Sequence, residues 1–440
     1  MRVKVDKLGI NGEGVIRSTE RDVKVCFVDY CLPGEIVDID IVDAKKHFNI
    51  ARLNDVIQSS RDRVLPKCPY FYECGGCNLM HMNIDSELKF KQQMVSETIN
   101  KIAKLGVEVA DTVMCQEYRY RNKMVFPICD VKGKPILGMF RSASHSILEI
   151  DDCLLCNASI SKVMQITRKW LKNSIFKGFN FNKKSGDLMY LVVREHSNQI
   201  LVTIVASREV ELKSLYDCYI QSFDNIGLSL IISDLSGDIL SGKYIHLYGK
   251  ENININEFGV SYCIDSRGFL QVNNEIKNKL YQEVLDNIDI DASVIDAYSG
   301  AGLLSAIIAK KAKEVVAIEI NKSASNSAKQ LFLNNNIDNI KNICADVGAV
   351  LLKELKLMDN ITIVLDPPRS GCSKEVFDSI NRMSDCNKIN KIIYISCNPS
   401  TLARDLSILK ERYIIDSVRP YNMFPRTKHI ETLVCLQRQV

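Results

Sequence analysis

The sequence predicts an α/β protein in which a doubly wound parallel sheet follows a small β-barrel and a central, mostly antiparallel region. Three observations predict this order. Short strands separated by glycine turns fill residues 1–64, longer strands with few helices follow from Tyr118 to Tyr262, and strands alternate with helices from Gly268 onward. The 440 residues can hold two or three domains.

The first region alternates short β-branched runs with glycine turns. Its predicted strands are Val3–Val5, Val23–Val28 and Val37–Ile41, with turns at Gly12–Gly14 and Gly34. Several short strands with such turns are typical of a small barrel.

The central region is predicted to consist mostly of strands, with one helix before them and one helix among them. The strands read MVFPICD, ILGMFR, YLVVREH, ILVTIVA, LIISDL and YIHLYG. Apolar residues at helical spacing predict a long amphipathic helix from Ser86 to Leu105 before them, and a helix around Ile160–Trp170 among them. We expect a mostly antiparallel sheet here.

Composition narrows the class of protein. Hydrophobic residues make up 46% and charged residues 25%, as in ordinary globular proteins. No stretch approaches the roughly 18 apolar residues that span a membrane, and the start MRVKVDKLGI lacks a signal-peptide core, so we expect a cytoplasmic protein. Its 16 cysteines are too dispersed for a disulfide scaffold, so a cluster of them points to metal or catalysis. Because the net charge is only +4, nucleic-acid contacts would need local patches.

A strand-to-helix turn with two glycines predicts a cofactor site. Ser293–Asp296 reads as a strand that runs into Tyr298–Gly302 and then a helix. Glycines at such a turn let a ligand approach the backbone closely. The next strand ends at Glu319, where an acid can bind ribose hydroxyls, and a third strand ends close to Asp346.

The same turn argues against a dinucleotide. A G-x-G-x-x-G motif would need glycine where Ser305 stands. Acids at successive strand ends, without a pyrophosphate-type loop, suit a nucleoside that carries no phosphates, such as S-adenosylmethionine. The alternative is that Glu319 and Asp346 only cap helices.

Two further motifs follow strands of the same predicted sheet. Asp366-Pro367-Pro368-Arg369 is a rigid turn against which a planar base could lie. The segment YISCNP puts Cys397 at the carboxyl end of a fifth strand, where such sheets bind ligands. A helix that begins near Ser400 would favour the Cys397 thiolate. The alternative is a small buried cysteine.

A thiolate beside a methyl donor has a specific chemical use. C5 of a pyrimidine is a weak nucleophile, and addition of a thiolate at C6 turns C5 into an enolate carbon that can attack a sulfonium methyl. A base must then remove the C5 proton before the thiolate leaves. We assign Glu431, just before the predicted closing strand Leu433–Leu436, as this base, and His429 a supporting role.

These motifs resemble the RNA uracil-C5 methyltransferases of the RumA/TrmA type, and the remaining modules resemble their 23S ribosomal RNA branch. The resemblance implies that Cys397 in S-C-N-P is the nucleophile, Asp366 in D-P-P-R a site aspartate and Glu431 in H-I-E the proton-abstracting base. It implies S-adenosyl-L-methionine as the cofactor. The implied cofactor-binding residues are Gln271, Tyr298, Glu319, Asp346 and Asp366, with Asn342 as an alternative to Asp346.

The resemblance extends to the first two modules. The N-terminal barrel resembles a TRAM domain, an RNA-binding OB-like fold, with Gly12, Gly14 and the Leu32–Glu35 turn in place. The segment CPYFYECGGC resembles the cluster-binding segment of the family and implies a [4Fe-4S] cluster. The implied ligands are Cys68, Cys74, Cys77 and Cys153, with Cys156 as a rival for the fourth. Four thiolates could also hold zinc.

The resemblance implies three domains. A TRAM domain (OB-like) is expected over residues 1–64, and a central α+β domain with an iron–sulfur site over residues 65–81 and 116–265. A Rossmann-like S-adenosylmethionine methyltransferase domain is expected over residues 82–115 and 266–440.

Two basic stretches are candidate RNA contacts. Tyr118–Lys123 interleaves aromatic rings with charges. Arg168–Lys184 contains Lys169, Lys172, Lys177, Lys183 and Lys184, for which a solvated basic face is an equal alternative. The target uracil must leave its stack to react, so we expect a loop or other single-stranded RNA as the partner. No membrane and no obligate protein partner is expected.

The leading prediction is methylation of C5 of a uridine in 23S rRNA. The first alternative is the T-loop uridine of tRNA. The alternative from another class is a non-catalytic iron–sulfur RNA-binding protein, and an amino-group methylase would need no cysteine.

Overall fold

The computed structural model of the protein describes residues 1–17, 24–384 and 386–439. Val23, the first residue of one predicted strand, lies outside the described residues. The chain divides into two compact units. The first comprises Met1–Phe90, Gln116–Glu251 and Phe424–Lys428, and the second comprises Lys91–Cys115, Asn252–Met423 and His429–Val440. The three-domain division drawn from the sequence stays a prediction.

A six-stranded sheet begins the first unit. Its strands are β1 (Arg2–Lys4), β2 (Lys7–Leu8), β3 (Gly14–Ile16), β4 (Val25–Val28), β5 (Ile36–Ala44) and β6 (Phe48–Gln58). They pair in the order β1-β5-β6-β4-β3-β2; β4 and β6 run parallel and the other described pairs are antiparallel. Alternate residues such as Val37 and Ile39 face a common buried core, as the short alternating strands predict.

The Leu32–Glu35 turn fixes this sheet to the chain that follows it. Gly34 adopts a φ of 83°, a conformation that glycine tolerates. Glu35 is fully buried and accepts hydrogen bonds from Leu32 N at 2.8 Å, Ser60 N at 3.1 Å and Arg63 Nε at 2.5 Å. Burial alone would raise the pKa of Glu35, but these donors hold it below its ordinary value.

Helix α1 spans Ile84–Ala103, so the predicted helix is present with both ends two residues earlier. Asn83 Oδ1 accepts from Ser86 N at 2.9 Å at its start. Asp85 and Glu87 in the first turn and Lys101 in the last complement the helix dipole. Neither α1 nor any other helix in the described part of the chain is long and apolar enough to cross a membrane.

A seven-stranded sheet and two helices follow in the first unit. Its elements are β7 (Lys123–Val131), β8 (Lys134–Phe140), β9 (Ile147–Glu149), α2 (Ala158–Lys172), β10 (Leu188–His196), β11 (Gln199–Ala206), α3 (Lys213–Ile220), β12 (Ile226–Ser233) and β13 (Gly242–Gly249). The order is β13-β12-β11-β10-β7-β8-β9, and the sheet is antiparallel as predicted except between β11 and β12. The unpredicted helix α3 supplies the crossover that a parallel pair needs.

The second unit contains the predicted doubly wound sheet. Its elements after α1 are β14 (Ile253–Glu257), β15 (Val260–Ile264), α4 (Asn274–Asp286), β16 (Ser293–Ala297), α5 (Leu303–Ala309), β17 (Glu314–Glu319), α6 (Lys322–Asn334), β18 (Ile340–Cys344), α7 (Val347–Leu357), β19 (Ile361–Leu365), α8 (Lys374–Ser384), β20 (Ile389–Ser396), α9 (Pro399–Leu409), β21 (Tyr413–Tyr421) and β22 (Glu431–Arg438).

Seven strands of this unit form one sheet, in the order β18-β17-β16-β19-β20-β22-β21. The first five are parallel, and β22 is antiparallel to both β20 and β21. All residues of β16 and β19 are buried, because helices cover both faces of such a sheet. The carboxyl ends of the parallel strands therefore meet at one edge.

Candidate active site

The residues predicted for cofactor binding and reaction cluster at that edge of the second unit. Tyr298 follows β16, Glu319 ends β17, Asp366 follows β19 and Cys397 follows β20. The strand register places Ala297 beside both Ile318 and Leu365, and Leu365 beside Tyr394. Neighbouring parallel strands thus present these groups side by side.

The loop after β16 has the backbone of a ligand cradle. Tyr298 and Gly300 adopt φ values of 68° and 56°, and a Cβ at Gly300 would meet no atom within 4 Å. At Gly302 a Cβ would lie 2.7 Å from Ala328 Cβ, so only glycine lets α5 pack here. Ser299 Oγ is buried without a hydrogen-bond partner among the described residues. Open space beside one glycine and an orphaned hydroxyl fit a bound nucleoside.

The two acids expected to bind the cofactor are held differently. Glu319 accepts from Gly300 N at 2.9 Å and from Asn321 N at 2.6 Å, so its carboxylate is fixed against the glycine loop. Asp346 is the N-cap of α7 and accepts from Ala349 N at 3.2 Å. The alternative that these acids only cap helices therefore applies to one carboxylate oxygen of Asp346. It does not apply to Glu319, because Asn321 caps α6.

Of the remaining cofactor candidates, one precedes both acids along the chain and the other lies between them. Gln271 is half-buried just before α4. Asn342 lies within β18 and donates to Ser325 O at 2.9 Å, while its Oδ1 is buried without a partner in the described part of the chain. Their role in cofactor binding stays a prediction.

Hydrogen bonds tie the D-P-P-R loop to the turn that carries Cys397. Asn398 caps α9 by accepting from Ser400 N at 3.0 Å, and its amide donates to Arg369 O at 3.1 Å. The Thr401 hydroxyl donates to the same carbonyl at 3.2 Å. The loop and the Cys397 turn are therefore joined by hydrogen bonds.

Burial and two nearby acids act on the ionisation of Cys397. Burial raises the pKa of the half-buried Cys397 thiol, the charges of Glu431 and Asp366 raise it further, and only the Arg369 cation among its named charged neighbours opposes them. The expectation that the start of α9 favours a thiolate stays a prediction, and burial and two carboxylates act against it in the free protein.

Glu431 is an acid with an unusually high pKa. It is the first residue of β22 rather than a residue before the strand, and it is only 6% exposed. Burial and then the Asp366 charge raise its pKa to about 8, against the opposing Arg369 cation. A carboxyl group with this pKa can hold or release a proton near neutral pH. His429 is exposed, and its supporting role stays a prediction.

Asp366 and Asp296 extend the buried acid cluster. Burial raises the pKa of Asp366 to about 7, with a further contribution from Asp296. Burial also raises the pKa of Asp296 to about 7, although Ser305 Oγ donates to it at 2.5 Å. No role was predicted for Asp296 or Arg369, and the available signal for Asp296 was an acid inside an apolar strand.

A hydrogen-bond network behind the site was also missed. Asp405 of α9 is fully buried and accepts from Cys372 N at 3.0 Å and from the Tyr394 hydroxyl at 2.6 Å. It pairs with Arg404 at 2.6 Å. The Cys372 thiol and the Tyr298 hydroxyl also form a hydrogen bond with each other. Asp405 thus connects the D-P-P-R loop, β20, α9 and the cofactor loop.

Four half-buried cysteines lie close together in the first unit. Burial raises the pKa of the Cys77 thiol, and so do the charges of Cys153, Cys74 and Cys68. Cys156 is instead fully buried, with its sulfur 3.4 Å from Ser161 Oγ. Within the described ranges, no group of three or more His, Cys, Asp or Glu side chains is arranged to hold a metal ion. The donor set suits a soft-metal cofactor, and the site itself stays a proposal.

The stretch Tyr118–Lys123 is largely engaged in internal contacts. Tyr120 is buried, and its hydroxyl donates to Pro425 O at 3.0 Å. Arg119 donates to Asp152 Oδ1 at 2.9 Å. Tyr120 is therefore not available to stack on a base, and Arg119 already has an anionic partner. Alternating aromatic and basic residues cannot distinguish these internal contacts from an RNA surface.

Two protein-family models match the chain. The model of the TRAM domain matches residues 1–53, and the model described as tRNA (uracil-5-)-methyltransferase matches residues 83–439. The chain belongs to the tRNA (uracil-5-)-methyltransferase family. The expectation of an α/β S-adenosylmethionine methyltransferase fold with an N-terminal TRAM domain is confirmed.

Relatives of similar length support this membership. The chain is 33% identical to an uncharacterized RNA methyltransferase of Clostridium acetobutylicum, over 99% of this chain and 96% of that protein. It is 32% identical to one from Fusobacterium nucleatum, over 100% of this chain and 96% of that protein. Pyrococcus abyssi tRNA (uracil-54, C5)-methyltransferase, solved with S-adenosyl-L-homocysteine, matches with 26% identity and a TM-score of 0.80 over 99% of both chains.

Proposed function

We propose that this member of the tRNA (uracil-5-)-methyltransferase family methylates C5 of a uridine in 23S rRNA through a covalent Cys397 adduct. Bound S-adenosyl-L-methionine supplies an electrophilic methyl group. Gln271, Tyr298, Glu319, Asp346 and Asp366 would hold it at the sheet edge. The observation that supports this proposal most strongly is that a buried acid, Glu431, lies beside Cys397. Its charge raises the pKa of the Cys397 thiol.

The proposed reaction uses three side chains. The Cys397 thiolate bonds to C6 of uracil, and the electron pair of the C5–C6 bond makes C5 nucleophilic. After C5 gains the methyl group, the Glu431 carboxylate takes the C5 proton, and the electrons of that C–H bond re-form C5–C6 as the thiolate leaves. Arg369 favours the ionised forms of both Cys397 and Glu431. Burial and, after it, the Asp366 charge keep the pKa of Glu431 high.

The choice of RNA rests on different observations. The cysteine-rich segment together with the TRAM domain supports 23S rRNA through its resemblance to that branch. The match to the Pyrococcus abyssi tRNA enzyme over 99% of both chains supports the T-loop uridine of tRNA as a second candidate. Either RNA would have to present a uridine that can leave its stack.

Labelled methyl transfer separates the two substrates. The purified protein is incubated with methyl-labelled S-adenosylmethionine and unmodified transcripts of 23S rRNA and of tRNA, and the labelled nucleotide is mapped. We expect 5-methyluridine at a discrete 23S rRNA position. Label in tRNA alone would replace the first substrate by the second, and label on an exocyclic amino group would contradict the C5 chemistry.

Glu431→Gln tests the base directly. Without a carboxylate at this position the C5 proton stays in place, so the variant should accumulate a methylated RNA covalently bound to protein. Denaturing gel electrophoresis with labelled methyl groups detects this species. Free 5-methyluridine produced at the wild-type rate would rule out Glu431 as the base.

We also propose that Cys68, Cys74, Cys77 and Cys153 hold a [4Fe-4S] cluster, supported by the resemblance of the segment CPYFYECGGC to the cluster-binding segment of the family and by the electrostatic interactions among the four thiols. Anaerobically purified protein should contain about four iron atoms and four sulfides per chain. Cys77→Ser should lose them, and the exposed control Cys263→Ser should retain them. Zinc without sulfide would replace the cluster by a zinc site.

A further inference from the structure

A pocket of about 600 Å³ lies wholly within the first unit. Gly75 and Gly76 of the cysteine-rich segment form one side of it, and Phe140, His145 and Tyr190 line it from the central sheet. Its volume lies within the range of known small-molecule binding sites. None of the residues proposed for methyl transfer lines it.

Phe140, His145 and Tyr190 are the aromatic residues of the pocket lining, and the Phe181 ring, which is outside the lining, packs against Phe140 and Tyr190. The Phe140 ring lies 5.4 Å from His145 and 5.9 Å from Phe181, and Phe181 lies 5.4 Å from Tyr190, measured between ring centroids. Tyr190 and His145 add a hydroxyl group and two ring nitrogens to this lining. Ring faces with polar edges suit a planar ligand that carries donors and acceptors, as a nucleobase does.

A basic turn contains Phe181, the ring that packs against Phe140 and Tyr190. The Asn180–Ser185 turn is closed by hydrogen bonds from Asn180 N to Ser185 O at 2.7 Å and from Lys183 N to Asn180 Oδ1 at 2.9 Å. It exposes Lys183 and Lys184, which follow Phe181 by two and three residues.

The sequence around this turn carries positive charge without acids. Residues 168–186 contain six Lys or Arg residues and no Asp or Glu. Arg168 is paired with Asp151 at 2.6 Å, whereas the five lysines have no ion pair within the described ranges. Asp187, the next acid along the chain, is paired with Arg208 at 2.7 Å.

We propose that this pocket binds an unpaired base of the RNA substrate, while Lys183 and Lys184 contact the flanking phosphates. The inference rests on the proposed function in taking RNA as the substrate. Stacking on rings next to cations is the physical basis of single-strand binding, and it tolerates any base because every base has a π-face. The basic stretch is then a phosphate contact rather than a solvated face.

The phosphate contact is tested by salt dependence. Binding of a fluorescein-labelled oligouridylate is measured by anisotropy at increasing salt. Each phosphate contact to a single strand contributes about 0.7 to the slope of log K against log salt, so K183Q/K184Q should reduce the slope by about 1.4. The control K132Q/K134Q, at another exposed turn of the same sheet, should leave it unchanged. Equal slopes for wild type and K183Q/K184Q would overturn the proposal.

The pocket is tested by removing ring faces. Phe140→Leu and the exposed His145→Ala should each weaken oligouridylate binding about fivefold or more, the loss expected for one stacked base. Phe223→Leu, a half-buried ring outside the pocket, is the control. Thermal unfolding checks that each variant is folded, and His145→Ala decides the test if Phe140→Leu is not.

Methyl transfer at saturating transcript separates this proposal from the proposed function. Wild-type methylation with unchanged binding by the pocket variants overturns the pocket alone. Absence of methylation of either transcript by the wild type overturns the proposed function first. Weakened binding with an unchanged rate at saturation supports both.

Discussion

At the scale of single residues, the ionisation of Cys397 and Glu431 follows from a balance between burial and one cation. Burial and neighbouring carboxylates raise the pKa of both groups, and Arg369 opposes the rise at both. The ionised forms are the ones that attack C6 and remove the C5 proton, so the reaction should accelerate as pH rises through about 8, where Glu431 ionises.

Arg369→Gln tests this balance. Loss of the cation raises both pKa values, so less thiolate and less carboxylate exist at any pH below them, and the rise in kcat/KM should shift to higher pH. A shift of one pKa unit corresponds to about a tenfold lower rate at pH 7. Arg382→Gln, in the last turn of α8, is the control. A profile for Arg369→Gln that overlays the wild type would contradict the role of Arg369.

The position of a site residue was predictable where a sequence motif determines it. The ionisation of a site residue was not, because its surroundings in the fold determine it. The S-C-N-P and D-P-P-R motifs placed Cys397 and Asp366 at one sheet edge from the strand pattern alone. The raised pKa of Cys397 depends on burial and on Glu431, 34 residues further along the chain, which a linear pattern does not convey. The inward-facing Tyr120 shows the same limit.

At the scale of elements, α9 holds the site together through Asp405. This carboxylate binds the loop after β19 through Cys372 N, and β20 through the Tyr394 hydroxyl. Because Cys397 lies between β20 and α9, Asp405 is a positioning residue for the nucleophile and for the D-P-P-R loop. The same helix start is fixed by Asn398.

Asp405→Asn should disturb both stability and rate. The amide keeps the shape but loses the charge opposite Arg404 and presents N–H groups to donors, which we expect to lower the free energy of unfolding by about 2 kcal/mol. The rate of RNA adduct formation should fall at temperatures where the variant is folded. The exposed Asp378→Asn is the control. Denaturant unfolding and adduct kinetics identical to the wild type would remove Asp405 from this role.

Long apolar or periodic helices and strands were predictable from the sequence. Short helices and the order of strands in the sheet were not. The strand predicted to precede the D-P-P-R motif is present as β19, because its uninterrupted apolar run fits a buried parallel strand. Helix α3 has eight residues and no side-chain cap, so its pattern was too short to recognise. The insertion of β22 between β20 and β21 depends on pairing, which hydrophobic pattern does not specify.

At the scale of the whole molecule, the chain returns to the first unit just before the proposed base. Phe424–Lys428 belongs to the first unit, although it stands in sequence between β21 and β22 of the second. Arg426 is buried there, donates to Met82 O at 2.7 Å and forms ion pairs with Glu87 and Glu117. The order of strands and helices was readable from the sequence, whereas this exchange of segments was not, because it depends on contacts between residues more than 300 positions apart.

The central claim, that the Cys397 sulfur bonds to C6 of the target uracil, is tested most directly with 5-fluorouridine RNA. Fluorine at C5 leaves no proton for Glu431 to remove, so the adduct persists and migrates as a protein–RNA species in a denaturing gel. In the presence of S-adenosylmethionine, wild type and the exposed-cysteine control Cys386→Ala should form it, and Cys397→Ala should not. A Cys397→Ala protein that still forms the adduct, or still methylates unsubstituted RNA, would contradict the account.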